Sequence, residues 1–258
     1  MSLDAHRTRA ERERAFDRFE SIERVHSAAM ETFRVVATLP DASALISASV
    51  RLRLGMTPDL TPERADDHAK LILETLDNEK ARGYEVIRGS ALVAICGAFE
   101  YLVKATFVDQ AACAPQRAAT LLSRSKIRLS ASEVLGTSVS EQWFAIADRL
   151  FEQLSEPHPQ MYDRVQKFLL DFTFMDQKEA QAEMLRKSFS GVDPSKFNEA
   201  FLVRNCLVHN GGRVGAQLAR STGLEVGAPI SVARPGLQSM LKPIRELAQT
   251  LNVLWMTL

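Results

Sequence analysis

Residues 84–109, YEVIRGSALVAICGAFEYLVKATFVD, form the most apolar stretch of the chain. Val86, Leu92, Val93, Ile95, Cys96, Phe99, Leu102, Val103 and Phe107 fall in it without an intervening Pro. A run of this length predicts a helix, and its density of apolar side chains places it at the centre of the core. Gly83, just before it, reads as the break from a preceding helix. Arg88 and Glu100 bracket its most apolar part, Gly89–Phe99. The longest stretch without a charge anywhere is Leu247–Leu258, twelve residues. A membrane-spanning helix needs about 20 apolar residues, so the sequence predicts no span.

Composition agrees with a helical core. The chain has 258 residues, 32 basic and 32 acidic side chains, and is 46 % hydrophobic. That balance excludes general disorder, which needs low hydrophobicity and high net charge. Gly (12) and Pro (10) are sparse while Ala, Leu, Glu, Arg and Gln are abundant, so the fold class expected is all-α. Cys96, Cys113 and Cys206 are odd in number and contain no CxxC pair, which argues against a disulfide framework and a cysteine zinc site. The N-terminus carries mixed charges where a signal peptide would be apolar. The expected location is cytoplasmic.

Outward from the apolar helix, residues 4–39 read as one long helix. Six Arg and six acids are interleaved in its first part, and Phe16, Phe19, Ile22, Val25, Ala29, Phe33 and Val36 recur at spacings of three and four. The neutral charge sum predicts a solvated face of i,i+4 pairs rather than a nucleic-acid arm. Residues 40–62 hold Pro40, Gly55, Pro58 and Pro62 and read as a connector, with a short extended piece at Ser47–Leu54. Two units follow: 1–61, an N-terminal helix and connector, and 62–258, a helical domain with short irregular insertions. In the second, Thr61-Pro62 starts a helix to about Ala81. Further helices are expected at about 141–154, 161–174, 177–189, 196–209 and 237–257. Ser195 is the expected N-cap of the 196–209 helix, and an extended piece is expected at 226–232. Residues 117–132 hold four basic side chains and no acid before Glu133.

The functional reading rests on residues 201–214, FLVRNCLVHNGGRV. Arg204 is followed by polar Asn205, then Cys206-Leu207-Val208, then His209, and Asn210-Gly211-Gly212 stops the helix. This order resembles the signature of the HEPN superfamily: an arginine, a polar residue, three mainly apolar residues and a histidine. The flanking Asn210-Gly211-Gly212 and Val214 also resemble HEPN proteins of prokaryotic defence and toxin systems. The apolar helix near 89–107 is similar to an earlier helix of those domains. The motif spans residues 201–214, and the general helical resemblance covers 62–258.

The resemblance implies an all-α, HEPN-like bundle that forms a homodimer and brings two motifs into one cleft. It implies a metal-independent endoribonuclease, with no cofactor, acting in bacterial defence or as a toxin-type effector under an antitoxin or other regulatory protein. Attack by the RNA 2′-hydroxyl on the adjacent phosphate would leave a 2′,3′-cyclic phosphate and a 5′-hydroxyl. Arg204 would hold the phosphate, His209 would move protons and Asn205 would support them; Asn210, Arg213 and Arg220 would contact RNA. In HEPN–nucleotidyltransferase toxins a Tyr two residues after the His is the target of inactivating AMPylation. Here that position is Gly211, so that control has no target.

The residues also have to make sense by themselves. Imidazole titrates near neutrality and suits a general base. Guanidinium grips phosphate in a bidentate manner. On an ideal helix Arg204 and His209 lie about 140° apart, whereas Asn198, Asn205 and His209 share a stripe. From Ala200 to Leu224 there are three Arg and no carboxylate, a local positive surface suited to RNA. Other readings stay open. Arg204 and His209 also read as a surface arginine and a helix-capping histidine, and the domain as a non-catalytic module binding RNA, nucleotide or a partner protein. Cys206 reads as a small buried residue rather than a nucleophile. Asp66-Asp67-His68 reads as a helix start rather than a metal cluster. Met161, Met175 and Met184 read as core filling.

Overall fold

A computed structural model describes residues 3–36, 62–114, 116, 120, 123, 137–157, 159–173 and 179–256. The helices among them are, in order, α1 (Leu3–Val36), α2 (Pro62–Ala81), α3 (Glu85–Cys113), α4 (Val139–Gln153), α5 (Met161–Lys167), α6 (Glu179–Gly191), α7 (Pro194–His209), α8 (Ala216–Thr222) and α9 (Arg234–Met256). A π-helical stretch, Phe168–Thr173, continues α5. The described residues contain no β-strand, and their one β-bridge joins Arg213 to Pro229. The all-α expectation holds.

Helix α3 is the hub, as its composition predicts. It packs against α1, α4, α7, α9 and the π-helical stretch, and Leu92, Cys96, Phe99, Leu102 and Val103 are wholly buried. The break before it comes from two left-handed residues, Gly83 (φ 61°) and Tyr84 (φ 64°). Phe99 meets Phe197 of α7 edge-on with centroids 5.7 Å apart, and Phe107 meets Phe168 at 5.4 Å. Helix α9 closes the other side of α7 and reaches α3 and α6, burying Ile244, Ala248, Leu251 and Leu254. Each fully buried Phe or Leu contributes roughly 1.5–3 kcal/mol. By length and composition α3 is able to cross a membrane, against the expectation from its charges, but the apolar stretch is mostly buried inside this fold.

Several local expectations are corrected. In the expected stripe of α1, Val25 is 62 % exposed and Ala29 half-buried, whereas Phe16, Phe19 and the neighbouring Ala15 are buried and Ile22 is half-buried. These last four residues join the same core as α3, α7 and α9. Part of the charged face is solvated as expected, with Arg9–Glu13 and Glu20–Arg24 ion pairs. Arg12, however, is buried against α3 at 1 % exposure, with Thr8 and Asp109. The N-cap of α7 is Asp193, not Ser195: its carboxylate accepts from the amides of Ser195 and Lys196, and Pro194 takes the first turn. Helix α8 lies where the sequence reads as irregular. The 226–232 piece makes a bridge rather than a strand. Met161 packs half-buried on the core, but Met184 is 38 % exposed. The expectations at 47–54 and Met175, and the basic stretch 117–132 apart from Thr120 and Ser123, fall outside the described residues, as do the side chains of Asp66, His68, Phe33 and Val36.

Candidate functional site

Helix α7 has a core side and an outward side. Phe197, Ala200, Phe201, Val203 and Cys206 are buried. Asn198, Arg204 and Asn205 turn instead to a cavity of about 920 Å³ that also takes in Glu100 of α3, Arg164 of α5 and Arg220 of α8. Asn198 makes part of its wall, accepting from the Tyr162 amide at 2.9 Å and donating to Gln160 Oε1 at 2.9 Å.

Three of the residues singled out from the sequence therefore share this cavity: Arg204, Asn205 and Arg220. Within it, Arg204 Nη1 donates to Asn205 Oδ1 at 2.8 Å. His209, Asn210 and Arg213 do not line it. His209 and Asn210 stand exposed at the C-terminal end of α7. Arg213 is occupied with the fold: Nη1 donates to the Gly227 carbonyl at 3.0 Å, and its residue forms the bridge to Pro229.

The end of α7 is shaped by its sequence. The amides of Asn210 and Gly212 both reach back to the Cys206 carbonyl, which requires left-handed backbone at Gly211 (φ 59°) and Gly212 (φ 74°). Cys206 Sγ accepts from the Gly215 amide at 3.3 Å and lies 3.7 Å from Asn210 Nδ2. Its thiol is thus a buried packing group that ties the loop to the helix, as expected.

Glu100 and Arg164 of the cavity were not singled out as site residues from the sequence. Burial pushes the Glu100 carboxyl above its ordinary value, while Arg204, Lys104 and Arg164 draw it down. Burial lowers Arg164, and Glu100 opposes that shift. Among the described residues no hydrogen bond or ion pair joins Glu100 to either arginine. Arg164 lies over the Phe151 ring, 5.6 Å from its centroid, which fixes the plane of the guanidinium. The buried Nε atoms of Arg164 and Arg204 have no hydrogen-bond partner. A carboxylate midway along the most apolar helix was the signal for Glu100; Arg164 had none. Among the described residues no three His, Cys, Asp or Glu gather as metal ligands. Comparison with known proteins gives no match: no family model, curated protein or solved structure is similar to this chain.

Proposed function

We propose that this chain is a HEPN-type, metal-independent endoribonuclease that works as a homodimer in bacterial defence or as a toxin-type effector, with an antitoxin or regulatory protein as its control. One observation carries the reading: the hydrogen bond from Arg204 to Asn205. On an ideal helix the positions of Arg204 and His209 diverge by about 140°. Asn205 and His209, four residues apart, share a face with about 6 Å between them along the axis. By bonding to Asn205 the guanidinium leans toward the face that His209 occupies. A strand gripped at Arg204 and Asn205 and running toward the end of α7 would meet the exposed imidazole.

In the proposed reaction His209 takes the proton of the 2′-hydroxyl as that oxygen attacks phosphorus. The bond to the 5′-oxygen breaks, and that oxygen takes a proton from the imidazolium of a second copy or from water. Arg204 offsets the charge on the phosphate oxygens. The test is to incubate the purified protein with tRNA and mRNA in EDTA, beside Arg204→Ala and His209→Ala, and to map the ends. Cleavage leaving 2′,3′-cyclic phosphates, and lost in both variants, is expected. Undiminished cleavage by His209→Ala overturns the role of the imidazole.

A second reading has its own observation. The cavity gathers Arg164, Arg204 and Arg220 without His209, which favours a module that binds an anion, in RNA, a nucleotide or a partner protein, and does not cut. Binding of RNA by a folded dimer without cleavage would favour this reading.

A further inference from the structure

We propose that the cavity between α3, α5, α7 and α8 binds a phosphate monoester on a small, ring-sized organic group, gripped by Arg164 and Arg204 with Arg220 at the rim. Three arginines line the space, against the carboxylates of Glu100 and Glu199. Lys196 pairs with Glu199 at 2.6 Å and cancels it. The net charge facing the cavity is therefore near two positive. A phosphate monoester carries about 1.5 to 2 negative charges at neutral pH and matches that charge, whereas a diester carries one.

Arg164 and Arg204 both present guanidiniums to the cavity wall. Their Nε atoms are closed off within the fold and have no partner, so an oxyanion in the cavity is met by their Nη groups. Phe151 holds the Arg164 plane from one side, so little rotamer entropy is lost on binding. Glu100 acts electrostatically on both arginines without a hydrogen bond or ion pair to either. Phe151, Met161 and Leu202 supply apolar wall beside this cationic end. The volume of about 920 Å³ falls within the range of small-ligand sites, roughly 300–1,000 Å³, and exceeds what a bare phosphate fills.

This inference does not rest on RNA cleavage, because His209 does not line the cavity. The test is isothermal titration of the full chain with ribose 5-phosphate, inorganic phosphate and dimethyl phosphate. One ribose 5-phosphate per chain is expected, with inorganic phosphate weaker and dimethyl phosphate at least about tenfold weaker, the cost of one charge-assisted contact. Arg164→Gln is expected to weaken ribose 5-phosphate by about tenfold or more with an unchanged circular dichroism spectrum. If that variant does not fold, the exposed Arg220→Gln serves instead, with a loss of a few-fold. His209→Ala is expected to bind as the wild type does, which separates this site from the proposed reaction. A 5′-phosphorylated trinucleotide and its 5′-hydroxyl twin distinguish the sources. Tighter binding of the phosphorylated trinucleotide than of ribose 5-phosphate identifies an RNA end, and equal or weaker binding a small phosphorylated metabolite. No binding of any monoester to the folded chain overturns the proposal, as does equal affinity for dimethyl phosphate or full affinity in the arginine variants.

Discussion

Replacing Asp109 with Asn should flatten the pH dependence of stability. Asp109 is wholly buried where α3 meets α1, beside Arg12 at 1 % exposure and Thr8 at 2 %. The Thr8 hydroxyl donates to Asp109 Oδ1 at 3.5 Å. Burial pushes the Asp109 carboxyl up from 3.8 to about 7, against the opposing pull of Arg12 and Thr8. Burial also lowers Arg12, but only to about 10, so the guanidinium stays charged through the range that matters. With the folded value above the unfolded one, the native state holds the proton longer. The stabilisation is complete below pH 3.8 and is lost as pH rises through about 7. At about 1.4 kcal/mol per pH unit, the interval from 3.8 to about 7 sets an upper bound of about 4 kcal/mol. For a chain of this size that corresponds to a Tm difference on the order of 10 °C. Asn is close in shape to the neutral acid but does not titrate. While the carboxyl is neutral, Asn treats Arg12 much as the wild type does; the attraction that an ionised Asp109 adds above about 7 is already contained in its folded value. The assay is urea unfolding of wild type and Asp109→Asn between about pH 5 and 9. The advantage of the wild type over the variant should shrink as pH rises through 7. Parallel profiles would refute the claim that this carboxyl is neutral in the acid half of that range.

Two further predictions concern stability, beside the RNA-cleavage and phosphate-binding tests above. Phe197, fully buried between Phe99, Tyr162 and Phe201, should cost about 3–5 kcal/mol as Phe197→Ala, measured as a lower urea midpoint with unchanged m-value. Gly212→Ala places a Cβ on a residue at φ 74° and should cost about 1–2 kcal/mol, read by calorimetry; an unchanged Tm would show that the loop relaxes out of the left-handed form.

What the sequence revealed, and what it hid, follows from the range of the interactions. Helix α3 was legible because its apolar run allows no other placement. The end of α7 was legible because Asn210-Gly211-Gly212 meets a local backbone requirement. Its start was misread at Ser195, which has suitable capping chemistry, because a proline in the first turn makes Asp193 the cap. Helix α8 has seven residues, too few for propensity to decide, and it is held by burial of Leu218. The inward turn of Arg12 was hidden by the neutral charge sum of α1, since its carboxylate partner on α3, Asp109, lies about a hundred residues away. The cavity was hidden for the same reason. Its charges come from positions 100, 164, 199, 204 and 220, and no local pattern links them all.

The way core and cavity share α3 and α7 ties the placement of the polar groups to the packing. Phe99 adjoins Glu100, Phe197 adjoins Asn198, and Phe201 adjoins Leu202; Phe99, Phe197 and Phe201 pack on one another with centroids 5.1–6.4 Å apart. Their neighbours line the cavity. Packed interiors yield little to strain, so the aromatic cluster fixes where the Glu100 carboxylate stands relative to the stripe of α7 that carries Asn198, Asn205 and His209. The imidazole lies beyond the cluster, on the last turn of α7, where the turn at Asn210–Gly212 and the Cys206 tether position the chain instead. Loosening the cluster should therefore disturb anion binding at Arg204 before it disturbs His209, and loosening the tether should do the reverse. Loosening the tether would then lower the cleavage rate while phosphate affinity is kept, whereas loosening the cluster, which acts through Arg204, would lower both.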